Sequence, residues 1–383
     1  LGDGDCGKAG GWGVMEGKAM LMKYLGACDA IALCMDSRDE AGKPEARKII
    51  DFVKMLQPSV GAVNLEDISQ PNCYQVLDEL RDACDIPVWH DDAQGTACVT
   101  LAGMINALKL AGKELSNISC VLYGAGASNT TIASFLLQSG MDPAKLIMFD
   151  SKGALHLKRK DIADDPSKYK QWALAKVSNP KCIDSMDDAM QNADVLIALS
   201  TPGPHTIKPR WISKMAAKSI VFTCANPVPE IYPYDAKAAG AYIVATGRGD
   251  FPNQINNSCG FPGILKGALC VQASKITDNM AIAAAKSLAS YAERRGITPD
   301  DIVPKMDEVD VFAYEAADVA MQAIADGVAR NPLSREQVFA MVKTDIDRTR
   351  ALCHKMMDDG FIAAPPQELI DKALQHTLAK FGK

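Results

Sequence analysis

Two adjacent carboxylate pairs, Glu66-Asp67 and Asp91-Asp92, end two short apolar runs. Like charges placed together repel unless a cation lies between them, and a hard divalent ion with oxygen ligands, Mg2+ or Mn2+, meets that need. Solvated acidic loops are the ordinary alternative. His90, beside the second pair, reads as a strand histidine rather than a ligand. Lys18, in Val14-Met-Glu-Gly-Lys18, lies in a helical pattern. A lysine in a closed, partly apolar site can give up its proton and serve as a base, although an exposed helix lysine is the commoner fate.

A second group of residues suits a dinucleotide. Gly124-Ala-Gly126-Ala127-Ser128-Asn129 separates an apolar run from a helical pattern. Two glycines there permit a tight turn and close approach to a pyrophosphate, and the following helix offers free N–H groups. Asn129 stands at the third glycine position of the usual fingerprint. Asp150 closes the next strand, 24 residues after Gly126, where a carboxylate would accept ribose hydroxyls and favour NAD. Lys152 offers an alternative partner, a 2′-phosphate, so the preference is only a lean. Two amide-rich turns, Ala225-Asn226-Pro-Val-Pro-Glu230 and Asn253-Gln-Ile-Asn-Asn257, could donate to substrate carboxylates or serve only as turns.

These residues need elements to hold them. The apolar periodicity predicts helices over 15–25, 44–57, 71–84 and 96–110, and strands over 30–35, 61–65 and 87–90. Residues 10–13 read as a loop. Further strands are expected over 118–123, 145–149, 194–200, 219–225 and 241–246, with a helix over 129–139 between the first two. Residues 152–180 read as a polar surface loop with helical pieces. The chain from 279 onward is helical in pattern, with terminal helices over 334–360 and 366–381. Strand–helix alternation of this kind gives right-handed βαβ units. The expected fold is therefore α/β: a doubly wound parallel-sheet dinucleotide-binding region (96–275), a smaller α/β substrate and metal region (1–95) and a helical C-terminal region (276–383).

Composition narrows the function classes. The 383 residues are 48% hydrophobic and 23% charged, with a net charge of −6, so a sizeable core is available and disorder is not indicated. No basic run stands out, which disfavours a nucleic-acid partner. The 12 cysteines are scattered without a CxxC pair, as expected for reduced thiols of a cytoplasmic enzyme. No apolar stretch is long enough to span a membrane, and the first residues do not read as a signal peptide.

Taken together, the motifs resemble malic enzyme, most closely the short bacterial form. The resemblance rests on Val14-Met-Glu-Gly-Lys18-Ala, Asn64-Leu-Glu66-Asp67-Ile, His90-Asp-Asp92-Ala-Gln-Gly-Thr-Ala97, Cys224-Ala-Asn226-Pro-Val-Pro-Glu230, Ala245-Thr-Gly-Arg248 and Asn253-Gln-Ile-Asn-Asn257 with Phe261-Pro-Gly263, in family order. It implies oxidative decarboxylation of L-malate to pyruvate and CO2 with NAD or NADP. Glu66, Asp67 and Asp92 would bind Mg2+ or Mn2+, Lys18 would be the general base and Asp91 would orient it. Asn226 and Asn257 would hold substrate carboxylates, and Gly124, Gly126, Ala127, Ser128 and Asp150 would meet the dinucleotide. A homodimer is also implied.

The sequence departs from the family at three points. The family's general acid is a tyrosine well upstream of the lysine motif, and no tyrosine precedes Lys18; the opening Leu1-Gly-Asp, in mid-motif, reads as an incomplete N-terminus. Asn129 replaces the third glycine. The tail beyond about residue 330 has no assigned role. Two other functions stay open: a malolactic enzyme that converts malate to lactate, and a nucleotide-binding module without turnover.

Overall fold

Apolar residues three and four apart build the first helix of the computed structural model, which describes residues 1–3, 7–364 and 366–381. In α1 (Gly7–Gly26), Met15, Met22 and Leu25 are buried, and Lys18 falls on the same face. The helix runs through residues 10–13, where the sequence suggests a loop. Glycines cost about 1 kcal/mol each there relative to alanine, and the buried face from Met15 onward carries the helix past them. Residues 30–35 form no strand. They contribute one isolated bridge, Gly2 to Cys34, and Ile31 remains 73% exposed, because nothing packs over that end of the run.

The register of the next elements brings the two acidic pairs together. Helix α2 (Ala46–Leu56) buries Ile49, Ile50 and Val53, and α3 (Asn72–Ala83) buries Tyr74, Val76 and Leu80. Both pack with β1 (Val63–Leu65) and β2 (Val88–His90) in one apolar cluster. The strands are parallel, with Leu65 opposite His90. Glu66-Asp67 and Asp91-Asp92 therefore leave neighbouring strands at the same end. Residues Asp91–Gly95 make a π-helical turn that runs into the buried helix α4 (Thr96–Ala111).

The larger sheet is built from β3 (Cys120–Tyr123), β4 (Leu146–Asp150), β5 (Gly153–Ala154), β6 (Val195–Ala198), β7 (Ile220–Thr223) and β8 (Ile243–Thr246), in the order β5-β4-β3-β6-β7-β8. All pairs are parallel except the short β4–β5 pair. Helix α5 (Ala127–Gln138) follows β3. The 152–180 stretch is more packed than a surface loop: α6 (Lys160–Ala163) and α7 (Tyr169–Val177) bury Ile162, Leu174 and Ala175. Short helices α8 (Met186–Ala189), α9 (Pro209–Ile212) and α10 (Pro233–Ala238) complete the crossovers. The chain winds one way from β3 to β4 and the other way to β6, so the strand order reverses beside β3. Ligands of such sheets bind in the crevice at that reversal.

Helices α11 (Phe261–Cys270), α12 (Asp278–Arg295), α13 (Asp310–Ala325) and α14 (Arg335–Asp358) close the structure, with α15 (Gln367–Phe381) at the end. Helices α11 to α13 pack with α4 in the largest apolar cluster. The second half of α14, the turn after it and α15 instead leave Leu352, Met357, Phe361, Leu369, Leu374 and Leu378 exposed. Every cysteine among the described residues is a free thiol, and Cys6 lies outside them. No helix among the described residues is long and apolar enough to cross a membrane.

One core residue departs from the apolar pattern. Glu315 of α13 is fully buried, and neither carboxyl oxygen has a hydrogen-bond partner among the described residues. Burial, with the charges of Asp318 and Asp91 adding to it, pushes this carboxyl well above its ordinary value. The folded protein thus keeps a proton that the unfolded chain releases above about pH 4.3. Stability should fall as pH rises from that value through the folded one. Glu315→Gln, which has no charge to form, should show a smaller drop in Tm between pH 5 and pH 8 than the parent protein. Parallel Tm profiles would contradict the assignment.

Candidate active site

The acidic cluster is built around one ammonium. Lys18 Nζ donates to Asp91 Oδ2 in a short contact and lies 3.0 Å from Glu66 Oε1. Its third neighbour is the Phe261 ring, 4.8 Å from Nζ to the centroid. Asp91 is fully buried, and its second oxygen accepts from Trp89 Nε1 at 3.1 Å. Glu66 Oε2 accepts from Asn64 Nδ2 at 3.1 Å. Burial alone would lower the Lys18 pKa, but Asp91 and Glu66 outweigh it and raise it. Glu66 is pushed well up by burial and by the charges of Asp91 and Asp92, against the pull of Lys18. The cluster therefore carries more negative charge than one lysine offsets.

The remaining acids are tied to the backbone. Asp67 sits at φ 55°, a left-handed conformation that aspartate tolerates, and its N–H donates to Asp92 Oδ2 at 2.7 Å. Ser128, at the start of α5, donates through Oγ to the Asp92 carbonyl at 2.8 Å, which joins the acidic turn to the glycine turn. Gln94 closes the π-turn from within: its Oε1 accepts from the His90 N–H at 3.0 Å.

The donor chemistry of Glu66, Asp67 and Asp92 fits a hard divalent cation. They are three oxygen donors in an acidic cluster short of positive charge. As they stand they are not a ligand cage: among the described residues, no group of three His, Cys, Asp or Glu is arranged to hold a metal ion. Glu66 is taken by Lys18 and Asn64, and Asp92 by Asp67.

The crevice beside β3 holds most of the other expected residues. Asp92, Ser128, Asn226 and Asn257 line one cavity of about 400 Å3, with Leu199 and Ser200. Gly124, at φ +104°, packs so closely that a Cβ there would lie 2.2 Å from the Leu199 carbonyl; only glycine suits the turn. Gly126 caps α5, and Ala127 begins it. Asn129 does not imitate the missing glycine. Its buried Nδ2 donates to the carbonyls of Tyr123 (3.1 Å) and Gly124 (2.9 Å) and so holds the turn by hydrogen bonds. Glu230 accepts from the N–H groups of Ser200 (2.8 Å) and Ala225 (3.2 Å), which fixes the Asn226 turn against the loop after β6.

The other expected residues do not line that cavity, Lys18 and Asp150 among them. Lys18 borders a neighbouring cavity of about 350 Å3, with Met15, Asn64 and Leu265. Asp150 ends β4 where the sequence places it, but Arg159 holds both its oxygens, at 2.7 and 3.1 Å. Trp89, Gln94, Arg159 and Glu230 were not foreseen as site residues. Only Gln94 and Glu230 carried a signal, as members of the quoted motifs.

The comparisons with known proteins bear on the chain as a whole. The family model described as malic enzyme, N-terminal domain, matches residues 1–81, and that of the malic enzyme NAD-binding domain matches residues 93–324. The chain is 41% identical over 339 residues to the bifunctional malic/malolactic enzyme of Bacillus subtilis, covering 88% of this chain and 79% of that protein. It is 40% identical over 340 residues to the NAD-dependent malic enzyme of Geobacillus stearothermophilus, covering 88% of this chain and 66% of that protein. The crystal structure of Entamoeba histolytica malic enzyme superposes with a TM-score of 0.96 at 57% identity, over 99% of this chain and 78% of that chain.

The Gln94 clamp can be tested directly. Gln94→Ala should strand the buried His90 N–H and cost about 1–3 kcal/mol in urea unfolding. A loss within experimental error would show that the π-turn holds without it.

Proposed function

The chain belongs to the malic enzyme family, and from that premise we propose that its crevice oxidises and decarboxylates L-malate to pyruvate and CO2 with reduction of NAD(P). It is an oxidoreductase of that family. The observation that carries the site assignment is the placement of Lys18 between Asp91 and Glu66, beside the turn that carries Asp92.

In this reading Lys18, an ammonium while it pairs with Asp91 and Glu66, must first lose a proton. Its neutral Nζ then takes the proton of the C2 hydroxyl, and Asp91, held by Trp89 Nε1, keeps the amine aimed at that oxygen. Asn226 and Asn257, on the wall shared with Asp92 and Ser128, hold the substrate carboxylates by side-chain amide donors. They fix the angle between C2 and the carboxylate that leaves. When bound, NAD(P) would accept the C2 hydride, and a divalent ion held by Glu66, Asp67 and Asp92 would supply a Lewis acid. After CO2 leaves, C3 must be protonated to give pyruvate.

The dinucleotide is placed by the Gly124–Ser128 turn and the α5 N-terminus. Relatives are named for NAD and for NADP. The hold of Arg159 on Asp150 weakens the lean towards NAD, because a neutralised carboxylate no longer repels a 2′-phosphate. Both coenzymes therefore stay in the reading. The exposed apolar face of α14 and α15 supports a homodimer, and the free cysteines suit a cytoplasmic enzyme. Lactate, in place of net cofactor reduction, would favour the malolactic outcome named for the Bacillus subtilis relative.

Lys18→Ala should lower kcat for Mn2+-supported, malate-dependent NAD(P) reduction by roughly 10²–10⁴, with dinucleotide binding by fluorescence titration unchanged. A normal rate in the variant would remove Lys18 from the chemistry.

A further inference from the structure

We propose that Phe261 is a positioning residue for Lys18, its ring face holding the ammonium, the form Lys18 takes once it has accepted the substrate proton, against Asp91 through a cation–π contact. The proposal rests on the reading of Lys18 as the base and adds a partner to it. Lys18 Nζ lies 4.8 Å from the ring centroid, inside the range where the negative face of an aromatic ring attracts a cation. Phe261 is fully buried, and the Lys18 side chain is only 16% exposed. Water therefore screens the contact little, and the attraction is stronger than at a surface. The other partners of Nζ are Asp91 and Glu66, and Glu66 is one of the proposed metal ligands. The ring has no such second claim on it.

The surroundings show that this contact is built into the packing. Helix α1 ends at Gly26, where a Cβ would lie 3.1 Å from the Pro262 carbonyl. The missing side chain lets the end of α1 settle on the first turn of α11. On the other side of that turn, a Cβ at Gly263 would lie 2.0 Å from Glu315 Oε2, so α13 also presses closely against it. Phe261-Pro262-Gly263 is thus held between two helices that approach it closely at glycines. That fixes the ring relative to the helix that carries Lys18. A phenylalanine needed only to fill the core would work equally well with its ring electronics altered.

The test replaces Phe261 with 4-fluoro-, 3,5-difluoro- and 3,4,5-trifluorophenylalanine. These change ring volume little and weaken the negative face stepwise. The kcat for malate oxidation should fall stepwise, by about 2- to 30-fold in total, with KM for NAD(P) unchanged. A second measurement does not depend on turnover. The urea unfolding midpoint should fall along the series in the Lys18 protein and stay level in a Lys18→Met background. A flat kcat series in an active protein, or equal midpoint trends in both backgrounds, would overturn the proposal. If the parent protein reduced no cofactor with malate, the functional reading would fail, while the midpoint series would still decide the contact.

Discussion

A single ammonium amid buried carboxylates is the constraint on which the site depends. Burial and the nearby charges of Asp91 and Asp92 push the Glu66 carboxyl up, and among the described residues only Lys18 pairs directly with both Glu66 and Asp91. Buried ion pairs gain little net stability, because desolvation offsets the attraction. Such an arrangement is better understood as serving chemistry. It keeps Lys18 in place, and it leaves an acidic cluster that more positive charge would relax.

The fold supplies the geometry by parallel pairing. The register that sets Leu65 opposite His90 brings the two acidic pairs to one end of a two-stranded sheet, and the π-turn then bends directly into α4. Ser128 connects that turn to the glycine turn after β3. That hydrogen bond joins the acidic turn directly to the glycine turn.

Much of this was legible in the sequence, because it depends on local pattern. The strand–helix alternation gave the parallel sheet, and the paired carboxylates at apolar run ends gave their position at strand ends. The helical pattern around Lys18 was legible, but its burial was not, since an exposed helix lysine is the commoner fate of such a position. What was hidden depends on contacts distant in sequence. Residues 30–35 have a strand-like composition, but no neighbour packs over Ile31. Asn129 looked like a defective fingerprint, because its bonds to Tyr123 and Gly124 exist only once the turn has formed. Asp150 looked available to a ribose because nothing in its own strand announces Arg159. Glu315 carries no signal in the sequence, because its burial depends on the packing of α11, α12 and α14 around α13.

The central claim is that Lys18 and a divalent ion share the same carboxylates. Titrating Mn2+ into the parent protein and Lys18→Ala, with bound ion followed by electron paramagnetic resonance, tests it most directly. Loss of the competing positive charge should tighten Mn2+ binding by at least roughly tenfold, given the strength of charge interactions at a few ångströms in a partly buried site. Equal or weaker binding in the variant would show that the lysine and the ion do not meet at Glu66.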